Sequence, residues 1–107
     1  MRTELGKIQT VRVGMGGYQD AMFGVWLTIG GKAWGVTDGK GTWATRDENA
    51  KYSEQEHRDE YAKTFIWAQE VCKQAKVQEI ADLQGVPVEC TFEGNQLKSW
   101  RVLEEVI

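Results

Sequence analysis

Few residues of this chain could perform acid–base, nucleophilic or metal chemistry. The sequence has a single histidine, His57, and two cysteines, Cys72 and Cys90. A nucleophilic Ser or Cys needs a base beside it, and a structural zinc site needs four His or Cys ligands, usually in closely spaced pairs. The sequence around His57 contains neither a nucleophile motif nor a paired His or Cys spacing. We therefore predict a non-enzymatic chain with no catalytic residue, metal site or cofactor; an enzyme with an unfamiliar site around Asp20 and His57 is the alternative.

Two glycine-rich segments resemble phosphate-binding loops, but their spacing fails the relevant tests. Segment 39–42 (GKGT) would need Gly at position 34, which is Trp34, and Ser or Thr after Lys40, where Gly41 stands. Segment 14–17 (GMGG) lacks the third glycine that the GxGxxG pattern of a dinucleotide-binding motif requires, and the helix of that motif does not follow it. A generic loop that holds an anion with backbone amides stays open.

Aromatic and polar residues within the glycine-rich half form the candidate binding site. Aromatic side chains offer contact area at a low entropic cost, while Gln and Asp fix orientation. In the alternative interpretation the tryptophans fill the core, and this is favoured for Trp34. The choice stays open for the tryptophans of the candidate set, which is Tyr18, Gln19, Asp20, Trp26 and Trp43.

The elements that position these residues begin with a predicted hairpin. Residues 7–13 and 23–29 are predicted strands, of which the second alternates apolar residues on one face, and Gly30 with Gly31 is predicted to be a two-residue turn. That turn would pair Leu27 with Trp34 and lay Trp26 over Gly35. Residues 37–52 show no regular period and are predicted to form a long loop anchored by Trp43.

A long helix is predicted next. Ser53 and Glu56 have the spacing of a capping box, and the apolar pattern continues to about Lys76. Ile66 points away from the apolar stripe. The residues predicted to form that stripe are Tyr61, Thr64, Phe65, Ala68, Val71, Cys72 and Ala75.

A second hairpin completes the chain. After a short helical turn at 79–83, residues 88–93 and 96–103 are predicted strands that turn at Gly94 and Asn95. The order of strands, one dominant helix and strands predicts an α+β fold: an antiparallel sheet of about four to five strands packed against one long helix. We expect residues 1–107 to form a single domain.

Charge and composition exclude several partner classes. Residues 1–46 carry six Lys or Arg against three acids, and residues 47–107 carry seven against thirteen, so the halves are +3 and −6. Because the cations are dispersed, the charge pattern argues against a nucleic-acid partner. No apolar run approaches the roughly 18 residues that would span a bilayer. Two cysteines in apolar segments predict buried free thiols and a reducing compartment, the cytoplasm. A homodimer stays compatible with the sequence.

Three segments carry a resemblance to a known group of proteins. Residues 16–22 (GGYQDAM), 30–36 (GGKAWGV) and 91–103 (TFEGNQLKSWRVL) resemble a family of short, uncharacterised proteins of tailed phages and prophages. The resemblance implies an accessory protein that binds a host protein, in the manner of anti-defence inhibitors such as anti-CRISPR proteins. It implies no catalytic or binding residue. The alternative binding function is a small-ligand module that sequesters a nucleotide-like signal.

Overall fold

One antiparallel five-stranded sheet and one long helix make up the fold, which confirms the predicted α+β class. The computed structural model describes residues 1–107. The strands are paired in the order β3-β2-β1-β4-β5. In chain order the main elements are β1 (Arg2–Gly16), β2 (Met22–Gly31), β3 (Trp34–Trp43), α1 (Glu54–Ala75), β4 (Pro87–Glu93) and β5 (Gln96–Val102). Short 3₁₀ turns cover Tyr18–Asp20, Ile80–Leu83 and Glu104–Val106.

Helix α1 begins and ends as its sequence predicts. The Ser53 hydroxyl accepts a hydrogen bond from the Glu56 amide at 3.0 Å, and the Glu56 carboxylate accepts one from the Ser53 amide at 3.3 Å. This reciprocal pair is the capping box. Lys76 ends the helix in the left-handed conformation with φ of 58°. No helix of the structure is both long and apolar enough to cross a membrane.

The sheet curls around a core closed by α1. Alternate residues of β2, namely Val25, Leu27 and Ile29, are buried on the inner face. The two outermost strands approach each other, because the Trp100 indole of β5 donates a 2.6 Å hydrogen bond to the Asp38 carboxylate of β3. Helix α1 packs against both of these strands. The outer face, the side of the sheet turned away from α1, is therefore left free.

The helix face that meets the sheet consists of small residues. Thr64, Ala68, Val71 and Ala75 are its buried residues, so α1 can approach the sheet closely. The expectation that Phe65 lies in the core was wrong, because its side chain is 69% exposed. The sheet lies under the Thr64 and Ala68 side of the stripe, and Phe65 falls beyond that contact. Ile66 points to solvent as predicted.

The first hairpin turns two residues later than its glycines suggest. Gly30 pairs with Gly35 and Gly31 with Trp34, so the turn falls on Lys32 and Ala33. Side chains above the two glycines explain the difference: a Cβ at Gly31 would lie 2.5 Å from Trp34 Nε1. The strand thus needs these glycines for packing. The predicted pairing of Leu27 with Trp34 and covering of Gly35 by Trp26 were wrong.

Two further predicted boundaries were also wrong. Residues 37–43 belong to β3 and not to a loop, and β1 is longer than the predicted strand at 7–13. Gly35, Gly39 and Gly41 of β3 all lie on the outer face. They are separated by even numbers of residues, as residues on one face of a strand are. The second hairpin and the turn at Gly94 and Asn95 follow the prediction.

Candidate functional site

Trp26 lies on the outer face above glycines of both neighbouring strands. A Cβ at Gly16 of β1 would lie 2.6 Å from Trp26 Nε1, and one at Gly39 of β3 would lie 2.6 Å from Cε3. The indole N–H donates to the Gly14 carbonyl at 2.9 Å. Because the glycines have no side chains, the ring can rest on the backbone of the two neighbouring strands. The indole is half-buried and held in place, with part of its surface open to solvent.

The turn that joins β1 to β2 carries Tyr18, Gln19 and Asp20, and all three are exposed. Gln19 and Asp20 both adopt left-handed conformations, with φ of 53° and 54°. Such conformations are uncommon outside glycine and cost free energy. The Asp20 amide donates to the Gly17 carbonyl at 3.2 Å, which helps to hold the turn. The turn therefore projects three consecutive side chains into solvent.

Trp43 joins this turn to the helix. Its ring lies 6.3 Å from the Tyr18 ring in an edge-to-face arrangement, and its side chain is on the outer face at the end of β3. The Trp43 carbonyl accepts hydrogen bonds from His57 Nε2 at 2.6 Å and from the Tyr61 hydroxyl at 3.2 Å. Helix α1 thus fixes the backbone of Trp43, and Trp43 stays 37% exposed.

His57 has a structural contact that accounts for its position. Its Nε2 is occupied by the Trp43 carbonyl, so Nε2 is the protonated nitrogen, and the rings of Tyr52 and Tyr61 lie 5.7 and 5.1 Å away. No hydrogen bond or ion pair joins His57 to Asp20. No group of three or more His, Cys, Asp or Glu side chains could hold a metal ion.

The aromatic surface lies largely outside the main cavities. None of the four main cavities is lined by Tyr18, Gln19, Asp20 or Trp26. Trp43 borders one cavity of about 310 Å³, into which Glu56 and Glu60 also project. Two carboxylates make this cavity a poor site for a phosphate. We call the set Tyr18, Gln19, Asp20, Trp26 and Trp43 the outer aromatic surface.

Arg12 belongs to the same surface and was missed by the sequence interpretation. It pairs directly with Trp26 across β1 and β2, and its Nη2 would lie 2.9 Å from a Cβ at Gly16, close to the indole. Its Nη1 donates to the Met15 carbonyl. The predicted strand at 7–13 contained the signal, because alternation places Arg12 on the face opposite Val11 and Val13.

Both cysteines are free thiols, as predicted, but Cys72 is only half-buried and not buried as expected. Cys90 is fully buried on the inner face of β4, and burial, with a contribution from the Asp38 carboxylate, raises the pKa of its thiol to about 11. Burial also raises the pKa of Cys72. Because the reactive species is the thiolate, neither cysteine is an activated nucleophile.

Comparison of the chain with protein-family models, curated proteins and solved structures finds no match.

Proposed function

We propose that this chain is a non-catalytic binding protein that recognises a host protein through the outer aromatic surface. The observation that carries the proposal is that Trp26 and Trp43 are both held in place by the rest of the fold. One ring rests on strand glycines, and the other belongs to a residue whose backbone is pinned by α1. Rigid, partly exposed aromatic side chains lose little conformational entropy on binding, which is a property of interface hot spots.

A protein partner fits this surface better than a small ligand does. Small-molecule sites are usually concave and bury most of the ligand, whereas the outer aromatic surface borders a main cavity only at Trp43. The resemblance to phage and prophage proteins adds a context: an accessory role in the cytoplasm of the host, with anti-defence inhibition, such as anti-CRISPR activity, as the specific form we propose.

One observation favours a nucleotide-like ligand as the second candidate. The Arg12 guanidinium and the Trp26 indole both reach the space above Gly16, and an indole beside a cation can stack a base next to a phosphate. Native mass spectrometry of protein purified from a bacterial cytoplasm separates the candidates. A retained small mass that is lost in Trp26→Ala would replace the protein-partner proposal.

The test of the proposal compares binding with stability in the same variants. Tyr18→Ala should leave the melting temperature almost unchanged, because Tyr18 is 67% exposed. Trp43→Ala should lower the melting temperature only modestly, because Trp43 is 37% exposed and its hydrogen bonds use the carbonyl. Truncating a hot-spot aromatic typically costs 2 kcal/mol or more, so capture of the partner should weaken by about 30-fold.

The matched control is Ile66→Ala, which truncates an exposed apolar residue on α1 that is remote from the outer face. It should bind as the wild type does when immobilised protein captures host proteins from a bacterial lysate. If Ile66→Ala abolishes capture while Trp43→Ala does not, the recognition surface lies on the helix and the proposed site is wrong.

A further inference from the structure

Half of β1 has an unpaired edge. Its pairing with β4 covers residues 2–7, and Ile8 makes the last backbone contacts on that side, with Gly85 at 2.7 Å and Val86 at 2.9 Å. Beyond Ile8, β1 pairs with β2 alone. No other backbone hydrogen bond reaches residues 9–16. Alternate N–H and C=O groups of this segment therefore have no strand partner, and such an edge is a template for a further strand.

A partly exposed apolar patch lies beside this edge on the inner face. Val13 and Met15 of β1 pair with Val25 and Phe23 of β2, and Phe65 of α1 lines the same small cavity as Val13 and Phe23. Ile80, from the 3₁₀ turn Ile80–Leu83, borders this cavity, and that turn contacts β1. Four of the patch residues are still between 42% and 69% exposed. We call them the β1-end patch: Val13, Met15, Phe23 and Phe65.

The position of the patch follows from strand lengths. β1 runs over 15 residues, whereas β4 and β5 have 7 each, so the far end of β1 extends beyond the part of the sheet that they cover. The patch contains no charged side chain. Of the devices that natural proteins use to block edge pairing, segment 9–16 has Arg12 on the outer face and an irregularity at its start, between Ile8 and Thr10, but no proline and no charge on the inner face.

We propose that this edge pairs antiparallel with the same edge of a second copy of the chain. A second copy supplies an extended strand of equal length and identical alternation, together with an equally uncharged patch. A two-fold axis through the edge keeps both inner faces on one side. The two β1-end patches then become continuous, and the backbone groups of both edges gain partners.

Charge selects the register of this pairing. If the two-fold axis lies at Val13, Val11 faces Met15 of the second copy and Arg12 faces Gly14, so apolar residues meet on the inner face. If the axis lies at Arg12, the two guanidinium groups face each other, and like charges directly opposite are unfavourable. The register centred on Val13 is therefore the expected one.

Analytical ultracentrifugation over a range of concentrations tests the assembly. The wild type should sediment as a dimer, with twice the 12.1 kDa mass of one chain. Val13→Glu and Phe65→Glu place carboxylates in the joined patch and should raise the dimer dissociation constant at least tenfold. Leu5→Glu is the matched control, because Leu5 is an exposed apolar residue of the same strand but lies on the outer face; it should remain dimeric.

Cross-linking tests the register without relying on a destabilising variant. Val13→Cys in a Cys72→Ala background should form an intermolecular disulfide on mild oxidation, because directly opposite Cβ atoms in an antiparallel pair lie at bridging distance. Leu5→Cys in the same background should not. A monomeric wild type at high concentration overturns the proposal, as does dissociation by Leu5→Glu but not by Phe65→Glu. These results leave the outer aromatic surface untested, so the two proposals can fail separately.

Discussion

At the scale of single residues, the glycines of β3 differ sharply in what a side chain would meet. A Cβ at Gly39 would lie 2.4 Å from the Val25 carbonyl oxygen and 2.6 Å from the Trp26 ring, whereas a Cβ at Gly35 would meet nothing closer than 3.8 Å. Two residues of the same type on the same face of one strand therefore have different roles: Gly39 makes room for Trp26, and Gly35 does not.

This contrast gives a prediction about stability. Gly39→Ala should destabilise the fold by about 1–3 kcal/mol, as overpacking does, and should change the tryptophan fluorescence because the Trp26 ring must move. Gly35→Ala should be neutral or slightly stabilising, since it restricts the unfolded chain without a clash. Urea unfolding measures both. If the two variants cost the same, the contact between Trp26 and Gly39 is wrong.

The buried thiol of Cys90 gives a prediction about pH. Its pKa is raised in the folded protein to about 11, so the folded state binds this proton more tightly than the unfolded state does. The resulting stability is present below the ordinary thiol pKa and is lost as the pH rises toward about 11. Alkylation by iodoacetamide at pH 8 should modify Cys72 first and leave Cys90 unmodified; denatured, non-reduced protein should expose two thiols. Rapid modification of Cys90 in folded protein would contradict its burial.

At the scale of elements, α1 is held by a small-residue contact and a cap. Ala68→Leu should cost about 1–3 kcal/mol, because Ala68 is buried against the sheet and added volume forces the helix outward. Ser53→Ala should cost about 1 kcal/mol through loss of the capping hydrogen bond. Phe65→Ala should cost clearly less than Ala68→Leu in denaturant unfolding. A cost of 3–5 kcal/mol at Phe65 would show that its ring is core after all.

Local chemistry explains which elements the sequence could predict. The capping box, the end of α1 and the hairpin at Gly94 depend on neighbouring residues, and all three follow the prediction. The first hairpin could not be located in this way. Gly30 and Gly31 have the composition of a turn, but they are required by contacts with Gln9 and Trp34. The prediction that Phe65 lies in the core was wrong for a related reason, because tertiary packing decides which side of an apolar stripe meets the sheet.

The candidate site was predictable in composition but not in geometry. The turn with Tyr18, Gln19 and Asp20 is exposed as expected of a loop, whereas the placement of Trp43 at a strand end required the full extent of β3. Arg12 became visible only when its partner across the sheet was known. Cross-strand neighbours depend on register, and register here is altered by an irregularity between Ile8 and Thr10.

At the scale of the whole molecule, the curl of the sheet brings strands from opposite ends of the strand order together. Asp38 on β3 and Trp100 on β5 are separated by 62 residues along the chain, yet their side chains form a 2.6 Å hydrogen bond. Both residues are half-buried and line a cavity with residues of α1. The hydrogen bond therefore links the two edges at the place where the helix closes the core.

This link gives a prediction for the stability of the closed sheet. Trp100→Phe removes the donor, keeps most of the apolar surface and leaves the Asp38 carboxylate without its partner. A hydrogen bond to a charged group contributes about 1.5–3 kcal/mol, so the free energy of unfolding should fall by that amount. Lys98→Ala, on the same strand, breaks only an exposed ion pair with Glu93 and should cost about 0–1 kcal/mol.

Hydrogen exchange should show where the link between Asp38 and Trp100 has been lost. In the Trp100→Phe protein, backbone amides should exchange faster in β3 and β5 than in β1. Uniformly faster exchange, or no difference between the two variants in urea, would mean that α1 alone closes the sheet and that the side-chain link is incidental.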